Sequence, residues 1–464
     1  MIRGRLSEAA ATIGGVLTGE DVEFAGVSTD SRSLEAGQLF VALEGPNFDG
    51  HAFVAAAAAA GAAGVVVTRE VDEHLPQVRT DDTLVALGAL AAGWRANLAP
   101  TVLGITGSSG KTTVKELTAA ILSGVDDTLV TRGNLNNEIG VPLTLFRLAP
   151  SDRFAVIEMG ANHAGEIARL AAIARPDIGV ITMAGPSHLE GFGDLDGVAA
   201  AKGEMFAALG PGGTAVINGD DHYADFWRTL CPPARIVSFG LGESADVTAR
   251  RIEALAGPVP GSRFELRLQA GTVDVELPLP GQHNVMNALA AAAVAEAAGA
   301  SAEQIRDGLA AVRPVAGRLV LKSGPRGCRV VDDTYNANPA SVKAALDVLV
   351  TLPGRPWAAL GDMGELGGDA LALHREVGAY ARERGIERLF AVGPMSREIA
   401  AGFGAEATHV AHVDVLCAML PPMLEGDVNL LVKASRSMRL EQVVDALTEI
   451  EGATTATTAT EATD

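Results

Sequence analysis

The stretch Gly104-Ile105-Thr106-Gly107-Ser108-Ser109-Gly110-Lys111-Thr112-Thr113 decides the fold. An apolar run, Val102 to Ile105, enters it, and a helical pattern from Val114 to Leu122 leaves it. Strand, glycine loop and helix together make a phosphate cradle. Glycines let backbone N–H groups turn inward, and the helix N-terminus adds positive dipole. Lys111 is placed to reach the outer phosphates, and Thr112 to offer its hydroxyl to Mg²⁺. The usual spacing, G-x-x-x-x-G-K-[ST], would need glycine at 105, where this chain has Ile105. The form here is the shorter G-x-x-G-K-T-T. An ordinary glycine-rich βα turn is the competing reading, and the loop alone does not name a reaction.

Outward from the loop, the chain divides. Its 464 residues fit about three domains. Residues 1–99 hold short strands near Val22–Ser28, Gln38–Val41 and Gly64–Val67, with helices over Phe53–Ala60 and Asp81–Ala99. Residues 100–315 alternate strands (Ala155–Glu158, Ile178–Thr182, Thr214–Ile217) with helices (Ala164–Ala174, Val198–Leu209), which predicts a parallel sheet covered on both faces. A hairpin, Phe264–Leu268 with Val273–Leu277, is expected to be appended to that sheet. Helices follow over Asn287–Ala298, with Asn284 as a candidate N-cap, and over Ala302–Val312. Residues 316–450 repeat the alternation without a phosphate loop, and 451–464 is an Ala/Thr tract expected to be disordered.

Composition narrows the function. The chain is 48% hydrophobic, and a formal net charge of −21 argues against a nucleic-acid backbone as the main partner. The three cysteines, Cys231, Cys328 and Cys417, follow no metal spacing and read as reduced thiols. No apolar signal core or membrane span is evident, so a cytoplasmic location is expected.

Several polar clusters stand where a parallel sheet ends. Glu158 closes the apolar run Phe154-Ala155-Val156-Ile157, where a carboxylate either holds Mg²⁺ opposite Thr112 or caps the next helix. His188, in Ser187-His188-Leu189-Glu190-Gly191-Phe192-Gly193, lies at another strand end and reads as structural or as a metal or phosphate contact. By composition Lys202 is an exposed helical lysine. Gly133-Asn134-Leu135-Asn136-Asn137-Glu138 is a dense amide cluster that either caps a turn or binds a polar ligand. Asn287 either serves its helix or faces a nucleotide base. Ser28-Thr29-Asp30-Ser31-Arg32 and Glu44-Gly45-Pro46-Asn47-Phe48-Asp49-Gly50-His51 suit either recognition or turns. In the last region, Asp332-Asp333-Thr334-Tyr335-Asn336-Ala337-Asn338-Pro339, Gly361-Asp362-Met363-Gly364-Glu365-Leu366-Gly367 and Lys433-Ala434-Ser435-Arg436-Ser437 each follow a strand.

Together these strings resemble the ATP-dependent Mur ligases of peptidoglycan synthesis, along nearly the whole chain. Gly133-Asn134-Leu135-Asn136-Asn137, Gly160-Ala161-Asn162-His163, His188-Leu189-Glu190-Gly191-Phe192-Gly193 and Tyr335-Asn336-Ala337-Asn338 carry the likeness to the branch that adds D-alanyl-D-alanine. The D-N-P-R-type string usual in the sister branch, which adds the third peptide residue, is absent. The resemblance implies a three-domain α/β architecture: a UDP-substrate domain, a central P-loop-type parallel sheet and a C-terminal Rossmann-like domain. It implies ATP-dependent joining of D-alanyl-D-alanine to UDP-N-acetylmuramoyl-tripeptide, by a monomer, through an acyl phosphate. The sister ligase, a folylpolyglutamate-synthase relative or a non-catalytic paralogue are the alternatives.

Carried over by residue, the resemblance gives ATP the segment Gly107, Ser108, Ser109, Gly110, Lys111, Thr112 and Thr113, adenine to Asn287, and the ribose and phosphates to Arg318 and Asp333. Thr112 and Glu158 would ligate one Mg²⁺, and His188 and Lys202 a second, with Lys202 carbamylated. The catalytic set is then Lys111, Glu158, His188 and Lys202. Ser31, Asn134, Asn137 and Asn338 would border substrate. Two departures stand out: Ala434 replaces a glycine of the family pattern, and Pro186 is unexpected before His188.

Overall fold

The computed structural model describes residues 1–45, 48–232, 235–255, 257 and 260–448 of the chain. Pro46 and Asn47, and the 451–464 tract expected to be disordered, lie outside the described residues.

The loop-bearing strand, Thr101–Thr106, sits inside a six-stranded parallel sheet. The order is Thr128–Val130, Phe154–Glu158, Thr101–Thr106, Ile178–Ile181, Thr214–Asn218, Arg235–Phe239. Its strands are buried on both faces, which is why they read as apolar runs without alternation. The chain leaves Thr101–Thr106 toward one edge and later returns to Ile178–Ile181 on its other side. That reversal opens a crevice at the carboxyl ends of the strands, where the phosphate loop lies. Register places Ile105 opposite Glu158 and Thr106 opposite Ile181, so the three strands end level with one another at the crevice.

The helix Gln282–Ala297 packs against the loop helix Lys111–Ser123 and the sheet. Its unbroken buried run, Ala288 to Ala295, is almost all alanine, and small side chains let the backbones approach closely. This helix starts earlier than expected. Gly281 is its N-cap, and Asn284 lies inside the first turn with Nδ2 donating to the Pro280 carbonyl (2.8 Å), so Asn284 is not the cap. The hairpin is likewise not appended to the parallel sheet. It belongs to a separate three-stranded antiparallel sheet, Thr248–Leu255, Gly261–Leu268 and Gly271–Leu277, whose first strand the pattern did not show.

Two further sheets flank this one. The N-terminal sheet has five strands in the order Val16–Thr18, Gln77–Arg79, Gly64–Val67, Leu39–Val41, Val27–Ser28. The C-terminal sheet has six: Val320–Ser323, Arg329–Asp332, Val428–Lys433, Arg355–Gly361, Arg388–Val392, Ala407–Val410. Only its first pair is antiparallel. Ala434, just past Val428–Lys433, is fully buried and keeps an ordinary negative φ, so alanine brings no backbone strain there.

Candidate active site

Two glycines shape the cradle. Gly107 (φ 144°) and Gly110 (φ 84°) occupy backbone regions that L side chains rarely adopt. A Cβ on Gly107 would collide with Thr182 Oγ1, and one on Gly110 with Asn287 Oδ1. The second collision shows where Asn287 lies: against the loop, one turn into its helix. Thr182 Oγ1 donates to the Ser109 carbonyl at 2.5 Å, and Ser108 Oγ to that of Gly185 at 3.0 Å. The segment Thr182 to Gly185, at the end of the neighbouring strand Ile178–Ile181, thus fixes the loop. Lys111 Nζ folds back onto the Gly107 carbonyl at 2.6 Å. Burial pushes its ammonium pKa down, Glu158 pulls the other way, and Arg318 adds to the depression.

Glu158 is 2% exposed. Asn136 Nδ2 donates to its Oε1 at 2.8 Å, while Oε2 is buried without a hydrogen-bond partner. Lys115 Nζ is 3.9 Å from that oxygen and 3.0 Å from Glu116 Oε1. An orphaned carboxylate oxygen in a buried site is costly unless something binds it. A carboxylate oxygen and the Thr112 hydroxyl are hard oxygen donors of the kind Mg²⁺ takes.

Lys202 overturns the composition-based expectation of an exposed side chain. It is 1% exposed, its Nζ donating to the Ala161 carbonyl at 3.2 Å and lying 4.8 Å from the Phe192 ring centroid. Burial, then the charge of Lys111, lowers its pKa to about 7. His188 is brought to the same side of the crevice, its ring edge-on to Phe192. Burial, with Lys111 and Lys202, lowers its pKa to about 4, so the imidazole is neutral at physiological pH.

The C-terminal region reaches into this crevice. Arg318 Nη2 donates to Thr112 Oγ1 at 2.9 Å while its guanidinium covers the Tyr335 ring at 4.2 Å. Asp333 pairs with Lys433 (2.7 Å) and accepts from the Leu319 N–H at 3.3 Å, directly after Arg318. Burial raises the Asp333 pKa against the pull of Lys433. Alongside, a cleft of about 890 Å³ opens between the two regions, lined by Gly281, His283 and Met286 on one side and Asp347, Val348 and Arg384 on the other. Lys111 and Arg318 bring basic groups to the crevice within a chain of net charge −21.

Among the described residues, the four expected substrate residues are not tied to this cluster by side-chain hydrogen bonds: none of them bonds to the phosphate loop, Glu158, His188 or Lys202. Asn338 Oδ1 caps the helix Pro339–Leu349 through Ser341 N, and Asn137 Oδ1 accepts from Gly140 N. Asn134 is exposed, and half-buried Ser31 lies in a turn where Arg32 folds back onto Asp30 at 2.7 Å. Residues not singled out join the site instead. Asn136, inside the quoted amide cluster, is the one that reaches Glu158. Lys115 follows Lys111 by one helical turn, a spacing that places both on one face. Thr182 ends the adjacent strand segment.

Fold and site together define a nucleotide-dependent ligase class: a P-loop parallel sheet backed by a buried carboxylate and overhung by a second α/β region. Comparison with known proteins supports and narrows this. The models named Mur ligase family, catalytic domain, Mur ligase middle domain, and Mur ligase, glutamate ligase domain match residues 23–120, 105–295 and 317–436. A UDP-N-acetylmuramoyl-tripeptide–D-alanyl-D-alanine ligase of Escherichia coli (strain K12) is 43% identical, covering 97% of this chain and 99% of its own. A crystal structure of MurF from Acinetobacter baumannii superposes with a TM-score of 0.92 at 35% identity, covering 97% and 99% of the two chains. A MurF ligase from Thermotoga maritima, solved in complex with ADP, gives 0.82 at 27% identity, with 91% and 97% covered. The chain belongs to the Mur ligase family, in its MurF branch.

Proposed function

We propose that this chain joins D-alanyl-D-alanine to UDP-N-acetylmuramoyl-tripeptide, converting ATP to ADP and phosphate and yielding the pentapeptide precursor of peptidoglycan. The observation that carries the reading is the 97% coverage by the E. coli ligase, which takes in all three regions matched by the family models and not only the phosphate loop.

The chemistry follows from the two anions that must meet. The tripeptide's terminal carboxylate attacks the γ-phosphorus of ATP, ADP leaves, and the dipeptide amine displaces phosphate from the acyl phosphate. Lys111 and the amides of Gly107 to Thr113 hold the β- and γ-phosphates, with Arg318 and Asp333 on the ribose and phosphate side. Asn287, which lies against Gly110, would contact adenine. Thr112 and Glu158 would hold one Mg²⁺, and His188 with Lys202 a second. When bound, these ions neutralise the charge that builds up between carboxylate and phosphate. A protonated lysine cannot ligate a cation. At a pKa of about 7, Lys202 spends part of its time at neutral pH as the free amine, the form that adds to CO₂. The resulting carbamate is anionic and fits the second Mg²⁺ as a carboxylate would. Ser31 and its loop would take the UDP part, with Asn134, Asn137 and Asn338 bordering substrate.

A coupled ADP-release assay tests the reading. Turnover is expected only when the UDP-linked tripeptide and D-alanyl-D-alanine are both present. ADP release indifferent to the dipeptide, or activity with only the UDP-linked dipeptide precursor, would overturn it.

A further inference from the structure

Two of the non-glycine residues with left-handed backbone face each other across the crevice. His188 (φ 53°) follows the strand Ile178–Ile181 of the central sheet, and Glu365 (φ 62°) follows Arg355–Gly361 of the C-terminal sheet. Glu365 Oε2 lies 2.6 Å from His188 Nδ1, and the Glu365 carbonyl accepts from the Leu189 N–H at 2.9 Å. Such backbone is costly for a residue with a Cβ and persists where the surroundings over-determine it. Here they do. Met363 N donates to His374 Nε2 (2.9 Å), and Gly364 N to Ser435 Oγ (2.6 Å), so the Glu365 loop is pinned on both the helix and strand sides. Glycine would adopt φ 62° freely, yet glutamate stands there.

We propose that Glu365 is a positioning residue for His188: a carboxylate brought by the C-terminal region that keeps a proton on Nδ1 and turns Nε2 toward the crevice. Which imidazole nitrogen carries the proton is set by the partner of the other, and a carboxylate behind a ligating histidine fixes both tautomer and ring orientation. In the side-chain arrangement described, Nδ1 has no aligned hydrogen bond despite the close approach. The Glu365 side chain is 58% exposed, which leaves its χ angles free to turn. The consequence is a coupling between docking and chemistry. The histidine is set for its ligand only when the C-terminal region, which also supplies Arg318, lies against the central one.

The inference rests on the reading of His188 as a metal-facing residue of the ligase site. Its test has two readouts on the full-length protein. The first is the tautomer of His188 in ¹³C-histidine-labelled, metal-free protein, its resonance assigned with His188→Gln. The second is the Mg²⁺ concentration for half-maximal dipeptide-dependent ADP release. Glu365→Gly removes the carboxylate while relieving the backbone, so its melting temperature is expected to hold or rise. It should nevertheless shift His188 toward the Nε2–H tautomer and raise the Mg²⁺ half-saturation roughly 10–100-fold. Glu365→Gln, which still accepts from Nδ1–H, should restore the tautomer and most of the Mg²⁺ response. If Glu365→Gly leaves either readout unchanged, the proposal is overturned. A wild-type protein without dipeptide-dependent release would instead defeat the ligase reading, while the tautomer measurement would still judge Glu365.

Discussion

The central and C-terminal sheets are both six-stranded and largely parallel, yet their carboxyl edges are finished differently. At the central edge, buried polar atoms among the described residues lack hydrogen-bond partners, as Glu158 Oε2 and Thr106 Oγ1 do. At the C-terminal edge the corresponding carboxylates are engaged. Asp333 is paired with Lys433, Asp332 with Lys322 and the Thr334 hydroxyl, and Asp362 with the Ser396 N–H. His374 uses both ring nitrogens, accepting from Met363 N and donating to the Ala370 carbonyl. Unpartnered buried groups cost stability and suit a ligand, whereas satisfied ones hold shape. One edge is built for binding, and the other for presenting Arg318 and Glu365 to it.

The contrast breaks if substitutions at the two edges behave alike. Lys111→Ala, at the binding edge, should cut dipeptide-dependent ADP release on the order of 10³-fold without lowering the melting temperature, since a desolvated ammonium is removed. Loss of stability in proportion to activity would erase the distinction. Asp333→Ala, at the paired edge, leaves Lys433 buried and unmatched. Denaturant titration should show the C-terminal region weakened by about 3–5 kcal/mol. Lys202→Met should lower activity roughly 10–100-fold, and depletion of bicarbonate should lower wild-type activity but not the residual activity of the variant.

Lys202 also gives a pH signature. Its folded pKa of about 7 is below the ~10.4 of an unfolded lysine, so between those values the unfolded chain holds the extra proton. In CO₂-free buffer, wild-type stability should rise across that window, and Lys202→Met should lack the rise. Arg318→Ala sharpens the comparison further. It should raise KM for ATP about tenfold, ~1.4 kcal/mol, with little change in melting temperature. The smallest effect lies far from either edge. Hydrogen bonding to Arg69, and then to His51, holds the Asp49 pKa at about 2. Being depressed, it contributes stability above about pH 4, lost as pH falls toward 2. Arg69→Met should flatten that part of the acid-stability curve, read by circular dichroism.

Much of this was legible in the residues. Strand, loop and helix around Gly104–Thr113 follow from apolar runs punctuated by glycine. Glu158 could be placed at a strand end because parallel strands are continuous apolar stretches. The first strand of the antiparallel sheet, Thr248–Leu255, was hidden because its exposed run Arg250 to Ala254 shows no alternation. Asn284 misled because an asparagine beside a helix start suits a cap, while the actual cap is a glycine with positive φ. Asn136 could not be told from its neighbours, since the direction of each amide depends on a turn that packing sets.

The sequence by itself determined the local grammar: where phosphate meets backbone, which strands are buried on both faces, and which branch of a family the strings resemble. Only the tertiary structure decided that Lys202 is buried and lowered toward neutrality, that Glu158 keeps one oxygen unpartnered, and that Glu365 meets His188. Those are properties of distance and desolvation between segments far apart in the chain. Lys202 lies 41 residues from Ala161, whose carbonyl it reaches, and Arg318 lies 206 from Thr112. Local propensity carries no record of such encounters. Packing creates them, and with them the electrostatics of the site.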